Sequence, residues 1–225
     1  MLRLARVWRP GRFRCGRLTG FVLVLGLGAV GLLLAGRALS VISAGHAAPP
    51  GGLLRQVQSD PGTPVAGNPA GTVTLTEFFD YRCPYCRIMQ PRVDALLARD
   101  KRVRLVLKEW PIFGGVSVYA ARVALAAEWQ GKYDAVHQAL FALPRAMDEA
   151  SVRAAAAAAG VDLMRLDHDL AKRGDEINAA LLQTDREARS LGLQGTPGFI
   201  VGSTLVPGAM SEGDLEKLVD QPAKH

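Results

Sequence analysis

The polar and apolar positions of this chain fall into blocks with two different periods. In VTLTEFF, 73–79, β-branched and aromatic residues alternate as in a strand. Val73, Leu75, Glu77 and Phe79 share one face, and Thr74, Thr76 and Phe78 share the other. Glu77 thus sits among apolar neighbours, where an ionised carboxylate is costly unless paired. After residue 84 the period changes. Met89, Val93, Leu96 and Leu97 recur at helical spacing, and Asp100 ends the run. Pro84 suits a first helical position, which needs no amide partner, and Pro91 predicts a kink. VRLVL, 103–107, reads as a second strand. Strand, helix, strand in so short a stretch makes a βαβ unit with parallel strands and a right-handed crossover.

Residues 116–191 follow a helical pattern. Gly131, Pro144, Gly160, Gly174 and Gly192 punctuate it, and Asp148, Asp162 and Asp175 are the expected N-caps. After Gly195-Thr196-Pro197, GFIVG and TLVPG predict two short strands with a tight turn at Gly202-Ser203. SEGDLEKLVD, 211–220, predicts a closing helix that opens on Ser211. The order is βαβ, a helical block, then ββα. It implies an α/β fold, a small mixed sheet with helices on both faces and the helical block inserted between the outer pieces.

Upstream the pattern weakens. Residues 49–71 hold five prolines and five glycines in 23 positions and read as a linker. Leu53, Leu54 and Val57 predict only a short helix there, either frayed or used for docking and self-assembly. Further back, LTGFVLVLGLGAVGLLLAG, 18–36, is uncharged for 19 residues. As a helix it spans roughly 28 Å, close to a bilayer core of ~30 Å. Six arginines before it and one after favour a cytoplasmic N-terminus. It is an uncleaved anchor or a removed signal, and SAGHAAPP, 43–50, offers only a poor cleavage site. Both alternatives carry the body across the membrane, which in a bacterium means the oxidising periplasm. Gly26, Gly28 and Gly31 spell a dinucleotide fingerprint, but no strand precedes them and no acid follows about 20 residues on. They read as glycines of a membrane segment.

Composition changes one conclusion. The net charge of +6 resembles a nucleic-acid signal, yet seven of the 27 basic residues lie at or before Arg37. Beyond it the balance is 20 basic against 21 acidic, with no basic stripe, and nucleic acid is excluded as a partner.

The chemistry concentrates in FDYRCPYCRI, 79–88, which holds Cys83 and Cys86. As a structural staple, so short a loop removes little denatured-state entropy. As a zinc clip it lacks two ligands. Cys15 precedes the membrane segment, and His46, His137, His168 and His225 are scattered without ligand spacing. The remaining reading is a reactive pair. Cys83 falls at a predicted helix start, where unpaired amides favour a thiolate, and Cys86 lies one turn inside. Cys83 is therefore expected to be the exposed sulfur that exchanges with a partner, and Cys86 its resolving mate. Cys15 reads as a bystander.

EFFDYRCPYC, together with Gly195-Thr196-Pro197-Gly198-Phe199, resembles the DsbA-like thiol–disulfide oxidoreductases of the thioredoxin superfamily. KEWPIFGG and AARVALAAEWQGKY, within 108–133, are similar to the branch with membrane-anchored DsbA-like proteins and the copper-tolerance protein ScsC. The resemblance covers about residues 68–220. It implies a thioredoxin-like fold with an inserted helical domain; the basic head and the apolar run, read above as an N-terminal transmembrane helix, depart from the family's usual soluble, signal-cleaved pattern and leave open whether the enzyme is tethered. The expected layout is a basic cytoplasmic head (1–17), an anchor or signal segment (18–42), a linker (43–71), a thioredoxin-like domain (72–113 and 192–222) and a helical insertion (114–191).

The resemblance also implies roles. Cys83 and Cys86 form the redox disulfide. Pro197 is cis and lies against the sulfurs, and Glu77 is a buried proton carrier for Cys86, with Lys108 as its charge partner. Pro84, Tyr85 and the main chain of Thr196 meet substrate. No cofactor or metal is called for. The implied partners are exported proteins with cysteines, a membrane redox partner (quinone-linked oxidase or thiol reductase), the membrane itself, and a further copy of the chain. Three functions stand at this stage: a disulfide oxidase, a reductase or isomerase with the pair kept reduced, and a client-binding or copper-tolerance module without turnover.

Overall fold

The computed structural model describes residues 51–221. The expected anchor at 18–42, the basic head, Cys15, His46 and His225 lie outside these residues. Among the described residues no helix is long and apolar enough to cross a membrane.

Strand β1 (Val65–Gly67) precedes β2 (Val73–Phe79), helix α2 (Pro84–Arg99) and β3 (Val103–Glu109). Strands β4 (Gly198–Val201) and β5 (Thr204–Pro207) and helix α8 (Glu212–Val219) close the chain. The sheet order is β1-β3-β2-β4-β5. Only β2 and β3 run parallel, as the intervening helix requires, and the other pairs are antiparallel. The βαβ and ββα pieces are thus those expected from the alternation, joined in one mixed sheet. Ser211 caps α8, accepting from the Asp214 amide.

Between β3 and β4 lie α3 (Val116–Glu128), α4 (Tyr133–Ala142), α5 (Glu149–Ala158), α6 (Leu163–Lys172) and α7 (Gly174–Ser190). Asp148 and Asp162 cap α5 and α6 as expected. Asp175 does not cap. It lies inside the first turn of α7, which starts one residue earlier at Gly174.

The stretch expected as a linker is partly folded. Residues Gly51–Gln58 form α1, and β1 extends the sheet along β3. Helix α1 forms at the expected place and is docked on the domain rather than frayed. Leu54 and Val57 are 3 % and 0 % exposed and pack with Phe78, Trp110, Leu191 and Ile200 of the same chain. Period-2 alternation divides the core accordingly. Leu75, Phe79, Leu105 and Leu107 face α2 and the helical block, whereas Phe78 and Ile200 face α1 and the end of α7.

Candidate active site

Strand β2 ends at Phe79, and a tight turn delivers the chain to α2. The Cys83 amide donates to the Asp80 carbonyl at 3.0 Å, and the Cys83 carbonyl accepts the Arg87 amide at 3.1 Å. Cys83 is the N-cap residue of α2, extended at φ −67° and ψ 122°, with Pro84 as the first helical residue. Its sulfur therefore stands at the end of the helix where amides lack internal partners. Across from it lies the loop before β4. The Cys83 thiol donates to the Thr196 carbonyl at 3.2 Å, and the Thr196–Pro197 bond is cis. Both cysteines are free thiols.

The two sulfurs differ sharply in acidity. A hydrogen bond from the Cys86 thiol, then the Thr196 side chain and the amides of Cys86 and Tyr85, lower Cys83 to about 6 against the opposing effect of burial. The Thr196 hydroxyl is buried with no other partner among the described residues, so it is free to serve a thiolate there. Burial pushes the Cys86 thiol up, and its bond to Cys83 and the charge of Glu77 add to this. The expectation of an exposed Cys83 needs correction, because the residue is only 2 % exposed. The Thr196 side of the loop and the first turn of α2 cover it. The cover is shallow, since Arg82 and Pro84 are half-buried and Tyr85 is 58 % exposed.

Glu77 lies within the sheet at 1 % exposure, and its Oε1 has no hydrogen-bond partner among the described residues. Burial, then the nearby charges of Asp94 and Cys83, push its carboxyl up to about 8. Lys108 is not its partner. Glu77 pairs in register with Leu107, and Lys108 with Phe78, so the two side chains leave opposite faces of the sheet. On the far face the Lys108 Nζ lies 2.8 Å from Asp60 Oδ2 and 2.9 Å from Glu187 Oε2.

A model of the DSBA-like thioredoxin domain matches residues 74–220, from β2 to the end of α8. The chain belongs to this family. As a DSBA-like protein it is a thiol–disulfide oxidoreductase. It is 44 % identical to a thioredoxin-like oxidoreductase from Silicibacter pomeroyi, with a TM-score of 0.70 over 74 % of this chain and 95 % of that one. It is 26 % identical to the thiol–disulfide exchange protein alpha-DsbA2 from Wolbachia pipientis, with a TM-score of 0.71 over 75 % and 91 %. It is also 26 % identical to the catalytic domain of Proteus mirabilis ScsC, with a TM-score of 0.68 over 75 % and 96 %. Among curated relatives, the Na(+)/H(+) antiporter NhaA 3 of Salinispora tropica is 33 % identical over 141 residues. That match takes 61 % of this chain and 21 % of the antiporter, and the chain spans about a fifth to a quarter of the curated relatives it matches.

Two features of the DSBA-like domain escaped the sequence reading. One is a buried network beneath the helical block. The phenols of Tyr81 and Tyr133 donate to Glu109 Oε1 at 2.6 and 2.8 Å, and Tyr81 lies 3.1 Å from His137 Nδ1. Burial pushes Glu109 up to about 8, although both phenols pull the other way, and burial lowers His137 to about 3. An acid that closes the apolar run VRLVLKE was the available signal. The other is Asp80, whose carboxylate meets residues 33 and 37 positions away, a distance over which local pattern carries no information.

Proposed function

We propose that this DSBA-like protein is a periplasmic oxidase that introduces disulfides into exported proteins, with Cys83 and Cys86 as its redox pair. In the oxidised form a client thiolate attacks Cys83 Sγ. The Cys83–Cys86 bond breaks, and Cys86 Sγ leaves with the electron pair. Glu77, neutral at pH 7 with a carboxyl near 8, hands its proton to that sulfur and regains one from solvent. A second client thiolate then attacks the client sulfur of the mixed disulfide, and Cys83 leaves as a thiolate. The client has lost two electrons and gained a disulfide. A membrane partner, quinone-linked, takes the electrons and restores the pair. Pro197, Pro84, Tyr85 and the Thr196 main chain form the surface against which the client strand lies, and the segment 18–42 tethers the domain or is removed.

The observation that carries this reading is the position of the Cys83 sulfur at the start of α2, with Thr196 opposite and a thiol lowered to about 6. A stable leaving thiolate makes the disulfide a stronger oxidant. Titration of the thiolate absorbance, combined with a redox equilibrium against glutathione, tests it. The expected result is a Cys83 pKa near 6 and a pair that oxidises glutathione. An ordinary thiol of about 8.5 would remove the mechanism. The state of Cys83 in cells reads the direction, since a pair found mostly as dithiol would make the protein a reductase or isomerase.

A further inference from the structure

The turn that presents Cys83 is held by one side chain that the exchange steps do not use. Asp80 is 1 % exposed. Its Oδ1 accepts the Arg82 amide at 2.8 Å and the Ser117 hydroxyl at 2.9 Å, and its Oδ2 accepts the Phe113 amide at 3.1 Å. These donors come from three segments: the 80–83 turn, the loop after β3, and the first turn of α3. Its main chain serves the cysteines, since its carbonyl accepts the Cys83 amide and its backbone also bonds the Cys86 sulfur. Among the described residues no cation pairs with the carboxylate. A carboxylate kept in the interior on amide and hydroxyl donors alone is costly unless those bonds are all made.

We propose that Asp80 is a positioning residue for disulfide exchange. It locks the 80–83 turn so that Cys83 stands at the amide end of α2, and it registers that turn against the helical block through Phe113 and Ser117. The proposal rests on the role given to Cys83 above. Without the carboxylate, the Arg82 and Phe113 amides and the buried Ser117 hydroxyl lose their acceptor at once, the turn relaxes, and the sulfur drifts from the amides that favour its thiolate.

The test uses the full chain with Asp80→Ala, Asp80→Asn and Ser117→Ala. Three quantities are read: the Cys83 pKa by thiolate absorbance, the glutathione equilibrium, and the melting temperature. Asp80→Ala is expected to raise the pKa by about one unit or more, a tenfold loss of thiolate below the pKa. It should shift the glutathione equilibrium toward the protein disulfide by a similar factor. Ser117→Ala should move both in the same direction by less, because two of the three carboxylate bonds persist. Asp80→Asn should fall between them, since the amide accepts from Arg82 and Ser117 but turns an N–H toward that of Phe113. If Asp80→Ala does not fold, the other two variants decide by the same readings. A pKa and equilibrium unchanged in the variants, with only the melting temperature lowered, would overturn the proposal. So would a falling pKa, which would mean that the carboxylate acts through its charge. An ordinary Cys83 pKa in the unmodified chain sinks the oxidase reading and this one together, whereas wild-type values in the variants sink this one alone.

Discussion

Two thiols three residues apart, one lowered to about 6 and the other pushed up by burial, should answer an alkylating reagent differently. In the reduced protein at pH 7, iodoacetamide is expected to modify Cys83 and leave Cys86 intact, as peptide mass mapping would register. Equal labelling of both would contradict the asymmetry. Glu77 gives a second residue-scale prediction. Its carboxyl is raised in the folded state from 4.5 to about 8, so between those values the native state holds a proton that the unfolded chain has released. Folding is then penalised as pH rises through that window. Glu77→Gln, measured by denaturant unfolding of the reduced form, should gain on the parent by up to ~1.4 kcal/mol for each pH unit above about 5. The gain should level off above 8, and a difference that stays flat with pH would refute the burial argument. All three residues stood out in the sequence, the cysteines from spacing and Glu77 from alternation among Val73, Leu75 and Phe79. Lys108 was not, because its partner depends on the register between two strands, and a shift of one residue moves a side chain through the sheet.

The elements follow from periodicity where one face is buried and fail where glycine and proline mask it. Both strands of the βαβ unit, the hairpin and the closing helix were readable. Strand β1 and the core packing of α1 were not, since 49–71 has the composition of a linker, and Leu53, Leu54 and Val57 foretold the short helix but not that it fills one patch of core. That packing has a measurable worth. Leu54→Ala, truncating a side chain 3 % exposed against Phe78 and Trp110, should cost about 2–4 kcal/mol in urea unfolding. A change below 0.5 kcal/mol would mean that α1 adds nothing to the fold. Gly67 ends β1 at φ 74°, and a Cβ there would lie 2.9 Å from both Leu97 Cδ2 and the Val103 carbonyl oxygen. Gly67→Ala is expected to cost about 1–3 kcal/mol in the same assay, through strain and overlap together.

At the scale of the whole molecule, the two faces of the sheet carry different polar devices. One face holds an unpaired acid beneath the sulfurs. The other holds Lys108, 1 % exposed, between Asp60 from the N-terminal arm and Glu187 from α7, with Gln183 bonded to both carboxylates. Lys108→Met should destabilise the protein by about 3–5 kcal/mol because two acids are left facing each other without a cation. Replacing Asp60 and Glu187 by apolar residues in the same chain should recover most of that loss, and calorimetry of the single and triple variants would show it. The margins of the sheet carry a last consequence. Its outer strands are three and four residues long, and one ends in Pro207. An oxidase of exported proteins, as proposed above, would risk recruiting its clients edge to edge into aggregates. Margins this short give a passing strand almost nothing to zip onto, which would leave the proposed client site at Thr196 without a competitor on the sheet.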